Sequence, residues 1–143
     1  MGAVSVLAVS SAEEDHVLLS HVFSHSNWKL AWVRTCGEAV ELIERTGFAV
    51  IICAPELPDG SWKDLLAELG RQRVPPRLIV ASRLADDRLW AEVLDRGGYD
   101  VLGMPFEPNE VIRVVSLAWR QWQHESRRWG AGPKEGSVCD VAK

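Results

Sequence analysis

No apolar run in this chain approaches the roughly 20 residues needed to cross a bilayer, so no membrane-spanning helix is expected. A basic start is missing as well. MGAVSVLAVSS passes directly into domain-like patterning, which argues against a secretory leader, and Val6 stands where N-myristoylation favours Ser or Thr. The chain also lacks cationic excess. Its 16 Lys and Arg against 20 Asp and Glu leave a formal net charge of −4, the wrong sign for neutralising a phosphate backbone, so no nucleic-acid partner is expected. Cysteine is sparse: Cys36, Cys53 and Cys139 are odd in number and show no CxxC or Cys/His spacing. They read as reduced thiols of a cytoplasmic protein, with Cys53 a small core residue. No GxGxxG, GxxxxGK[ST] or GxSxG occurs, so there is no phosphate-cradling glycine loop and no nucleophile elbow. His21 and His25 stand four apart, a fit for two metal ligands, but no third is apparent. Glu13, Glu14 and Asp15 could be offered as a metal site, yet acidic residues at a helix start need no such role. No metal site is expected.

What the chain does contain is a regular alternation. Residues 4–9 (VSVLAV) form an apolar run that suits a strand buried on both faces. Ser11 and the acidic residues after it signal a helix start, with Leu18, Leu19, Val22 and Phe23 facing the core. Residues 28–33 read as a more polar, edge strand. Thr35 caps a second helix, buried through Ala39, Leu42 and Ile43 and closed by Gly47. Residues 48–53 (FAVIIC) are the most hydrophobic strand and should be central. After a turn-rich loop at 55–60, Ser61 opens a helix with Trp62, Leu65, Leu66 and Leu69 on one stripe. Residues 78–81 form a fourth strand, Leu89, Trp90, Val93 and Leu94 mark a fourth helix, and residues 99–102 form a fifth strand. Asn109 should cap a last helix carrying Val111, Val114, Val115, Ala118 and Trp122. Five such β/α pairs call for right-handed crossovers and a doubly wound, five-stranded parallel sheet. The expected fold is α/β and flavodoxin-like, a (βα)5 unit with strand order 2-1-3-4-5. One domain spans residues 1–128. Residues 129–143 lose periodicity and are expected to be a disordered tail.

Two stretches carry a family likeness: LPDG at residues 57–60 and GGYDVLGMPF at residues 97–106. Their wording resembles the receiver domain of bacterial two-component response regulators (CheY-like), a likeness that extends over residues 4–122. In that family an acidic pair follows strand 1, a phosphoacceptor aspartate follows strand 3, Ser or Thr follows strand 4 and Lys follows strand 5. The resemblance places Ser10 and Ser11 at the acidic pair, Ala54 at the phosphoacceptor, Ser82 at the hydroxyl and Met104 at the lysine. Val101 takes the switch-aromatic position. Tyr99, two residues earlier in the strand, should share its face and is a poor substitute.

The chemistry follows from these replacements. Ala54 has no nucleophilic carboxylate. Serine hydroxyls are poor substitutes for the carboxylates that hold Mg²⁺, so magnesium binding should be weak or absent, and no other cofactor is expected. Met104 removes the cation that would meet phosphate charge. The expected function is a receiver-like signal-transduction module of the two-component, phosphorelay type. It should be a pseudo-receiver, independent of phosphorylation and not an enzyme, acting through protein binding. Two alternatives stand beside it. One is a phosphorylatable regulator using Glu56 or Asp59, although both read as solvated turn residues. The other is a flavodoxin-like flavin or nucleotide binder, against which the missing glycine loop counts. The expected partner is a histidine kinase, an output protein, another receiver or a second copy. It would meet the face made by helix 4, strand 5 and helix 5, with Arg113, Trp119 and Arg120 as contact residues.

Overall fold

The protein is described here by a computed structural model covering residues 4–24 and 26–128. The expected tail, Trp129, Cys139 and His25 lie outside the described residues. The strands of the main sheet alternate with helices: β1 (Ser5–Val9), α1 (Glu13–Phe23), β2 (Lys29–Val33), α2 (Cys36–Thr46) and β3 (Val50–Cys53) come first. They are followed by α3 (Trp62–Leu69), β4 (Arg77–Ser82), α4 (Asp87–Asp95), β5 (Asp100–Gly103) and α5 (Pro108–Arg128). All strand pairs in the main sheet are parallel and their order is β2-β1-β3-β4-β5, as the alternation of elements predicts.

The sheet is buried on both faces because its central strands are apolar at both parities. Val6, Ala8, Val50, Ile52, Ile79 and Ala81 face a layer made by α1 and α5. Leu7, Val9, Ile51, Cys53, Leu78 and Val80 face the layer of α2, α3 and α4. Fully burying each of the larger side chains contributes about 1.5–3 kcal/mol, so these two layers dominate the fold's stability. Burial also pushes the Cys53 thiol's pKa far upward, and this thiol is an inert core group.

Local signals set most helix starts. Thr35 accepts from the Glu38 N–H (3.1 Å), and Ser61 and Asp64 form a reciprocal capping pair at α3. Gly47, with φ 83°, closes α2. Gly98 is required by close approach: a Cβ there would stand 2.5 Å from Val93 Cγ1.

Several expectations are corrected. Ala12, not Ser11, is the N-cap of α1. Pro108 begins α5, so Asn109 lies inside the helix and Glu107 caps it, its carboxylate accepting from the Glu110 N–H at 2.9 Å. Leu18 faces solvent, as do Trp90 and Leu94; α4 buries Val93 alone. The loop after β3 contains a two-residue antiparallel ladder, Glu56–Leu57 against Gly60–Ser61.

Candidate functional site

Parallel strands end on one rim of the sheet, where α/β folds carry their chemistry. Ser10 and Ser11 follow β1, Ala54 follows β3, Ser82 ends β4 and Met104 follows β5, so all five positions come to that rim. Ala54 is tied in by its N–H to the Val9 carbonyl (2.9 Å), and Met104 by its N–H to the Ser82 carbonyl (3.1 Å). The Met104–Pro105 peptide is cis. Met104 packs its side chain on the core layer of α1 and α5.

Several oxygens on this rim already take part in hydrogen bonds. Buried Ser10 donates its hydroxyl to Asp15 Oδ2 (2.8 Å) and accepts from the Ala12 N–H (3.1 Å). Its carbonyl receives the Trp32 indole N–H at 2.9 Å, and the Ser11 carbonyl receives Arg34 Nη1 at 3.3 Å. Buried Ser82 accepts from the Leu84 N–H at 3.0 Å. Ala54 offers only a carbonyl, which the Cys53 thiol meets at 3.1 Å. Among the described residues, no three His, Cys, Asp or Glu side chains gather as metal ligands would. Ser10, Ser11 and Ala54 themselves offer no carboxylate to a hard dication, which favours carboxylate oxygens.

Charge at the rim comes from residues that spacing did not single out. Arg34 lies 4.6 Å from the centre of the Trp32 ring, and His16 stacks on Trp32 at 4.6 Å and 13°. His16 Nδ1 is buried with no hydrogen-bond partner among the described residues. Arg83, just after Ser82, reaches Glu14 at 3.5 Å and links the β4–α4 loop to α1, in an exposed pair that contributes little stability. The only sequence hint of this cluster is the position of Arg34 and Arg83 directly after strand ends.

The two alternative carboxylates differ. Glu56 is exposed in the short ladder, opposite Ser61. Asp59 is exposed but not a free turn residue: it accepts from the backbone N–H of Cys36 (2.8 Å) and of Gly37 (2.9 Å) at the start of α2. Those bonds, from Gly37 first and Cys36 second, hold its pKa below the ordinary value of 3.8.

The expected partner face needs one correction. Lys63 of α3 meets Glu92 at 2.8 Å, which marks the α3-facing flank of α4 and leaves Trp90 and Leu94 on the flank toward β5. On α5, Gln121 and Glu125 bond Arg77 and border Tyr99, which marks the β5-facing flank; Leu117 lies one turn before Gln121 on it. Trp90, Leu94 and Leu117 are 49%, 38% and 43% exposed, so this face does present apolar side chains. Arg113 and Arg120 are exposed beside them. Trp119 is not part of this surface. It is half-buried on the opposite flank, packed on the core and bordering Ser5 and Ala49. Tyr99 and Val101 also part company: Val101 packs on the α4 side, whereas Tyr99, just before β5 begins, packs on the α5 side.

Known proteins match this chain in sequence and in shape. A two-component response regulator of rice (Oryza sativa subsp. japonica) is 28% identical over 123 residues, covering 83% of this chain and 91% of the relative. The signal receiver domain of an HD domain-containing protein from Pseudomonas fluorescens superposes with a TM-score of 0.81 at 23% identity, covering 90% of this chain and 95% of that one. The beryllofluoride-activated NtrC4 receiver-domain dimer, solved in solution, gives 0.75 at 20% identity, covering 82% and 98%. No protein-family profile matches the chain. The chain thus resembles two-component response-regulator receiver domains in sequence and has their fold.

Proposed function

We propose that this receiver-like chain is a cytoplasmic signalling module that works by binding another protein, with no aspartyl-phosphate cycle of its own. One observation carries the reading: at the end of β3, where receivers hold the acceptor aspartate, the rim presents Ala54, which has no carboxylate. Asp15 is spent on Ser10 and Asp59 on the start of α2. Magnesium has no carboxylate pair to hold it, and the phosphoryl group would find Met104 where a cation should be. Glu56 remains the one unspent carboxylate in the loop, but as part of the ladder it sits two residues beyond the acceptor position.

With the rim silent, the contact surface is the α4–β5–α5 face, where Trp90, Leu94 and Leu117 are exposed next to Arg113 and Arg120. Aromatic and arginine side chains are favoured as anchors at such contacts. The partner is a histidine kinase, an output protein, another receiver or a second copy; the NtrC4 receiver forms a dimer. The test is sedimentation of the chain alone and with its partner, before and after treatment with acetyl phosphate and Mg²⁺. Unchanged association supports the reading, and association that depends on the treatment overturns it.

A further inference from the structure

A cavity of about 320 Å³ opens at the amino end of the sheet, opposite the rim. Its lining includes Phe48, Pro76, Trp119 and Trp122, together with Thr46, which is exposed, and Gln72. Charged residues make up 25% of the chain, yet among the described residues none of the eleven that line this cavity carries a charge. The Trp122 indole N–H is already given to the Val74 carbonyl at 3.3 Å, which fixes that ring. Trp119 is held half-buried by the core layer of α1 and α5, so both indoles are braced in position.

We propose that this cavity binds a small, neutral aromatic molecule, independently of the rim. The volume falls in the range of small-molecule sites, which are mostly apolar with a few polar groups that orient the ligand. An ion entering it would lose water without gaining a counter-charge. A flat, uncharged ring gains contact with the indoles, and the Thr46 hydroxyl and Gln72 amide can meet one polar substituent. A cation would gain no counter-charge from the described lining.

The experiment uses phenylnaphthylamine, a neutral probe that brightens in apolar sites, on the full chain. Its sulfonated analogue, anilinonaphthalene sulfonate, serves as the charged control. We expect saturable binding of one neutral probe per chain, about tenfold or more tighter than the sulfonate. Trp119→Ala and Thr46→Trp should each weaken it about tenfold or more, and Trp90→Ala should not. Thr46 is exposed at the end of α2, so its replacement obstructs the mouth without disturbing the core. Equal affinity for the sulfonate, displacement by tetramethylammonium, full binding by Thr46→Trp, or loss of binding in Trp90→Ala would each overturn the proposal.

Discussion

The Asp59 carboxylate accepts the Cys36 N–H at 2.8 Å and so fastens the loop after β3 to the start of α2. Gly37 adds a second bond at 2.9 Å. A negative charge at two N–H groups of a helix start is favourable by position alone. The same pairing gives Asp59 a structural role at the start of α2.

Because folding depresses the Asp59 pKa, the clasp contributes stability above the ordinary value of 3.8 and loses it as pH falls through the lower folded value. Asp59→Ala should therefore melt below the parent at neutral pH. The gap should narrow steadily as the pH is taken below that ordinary value. Thermal melts of both proteins over an acid series check this, and a gap constant with pH would remove the carboxylate from the explanation.

His16 stacks on Trp32 while its Nδ1 lies buried with no hydrogen-bond partner among the described residues. His16→Phe keeps a flat ring in the stack and removes the stranded nitrogen. We expect a gain of about 1 kcal/mol in urea unfolding, the low end of the cost of a buried unsatisfied group. A loss of stability would mean that the nitrogen has a partner.

On the α4–β5–α5 face, Trp90→Ala and Leu117→Ala should weaken association with a partner or second copy, by about 2 kcal/mol where the side chain is an anchor. Arg113→Ala and Arg120→Ala should act in the same direction. Trp119→Ala should instead lower stability, because it removes packing from the core layer. Equilibrium sedimentation and chemical unfolding on the same set separate the two effects.

Ala54→Asp alone should not restore efficient phosphorylation, since one carboxylate holds magnesium poorly and Met104 supplies no cation to the phosphoryl group. Ser11→Asp, Ala54→Asp and Met104→Lys together should do much better. Ser11 is the position to change because it is exposed, whereas Ser10 is buried and bonded to Asp15. Phosphorylation rates of the single and triple variants decide it; equal rates would mean that something other than the missing supports keeps the rim silent.

The order of strands was legible because apolar runs, Thr35, Gly47 and Ser61 all act over a few residues. The outward turn of Leu18, Trp90 and Leu94 was not, since helical spacing locates a stripe but not how much of it neighbouring layers cover. The ladder at Glu56–Ser61 is too short to leave a period of two. Asp59 meets Cys36 and Gly37 more than twenty residues away, and Trp32, His16 and Arg34 meet across separate elements. Pairings of that kind depend on the finished fold. Spacing alone does not assign Trp119 to a flank of α5, because the helix carries apolar residues on both sides of its core stripe, Ile112 and Trp119 on one and Leu117 on the other.

The most direct measurement is intact-mass analysis of the chain incubated with acetyl phosphate and Mg²⁺. We expect no phosphoryl adduct, because Ala54 has no carboxylate and Asp15 and Asp59 are hydrogen-bonded within the fold. A stoichiometric adduct that persists in the Glu56→Gln, Asp59→Asn double variant would contradict the placement of Ala54 at the acceptor position and, with it, the reading of a silent rim.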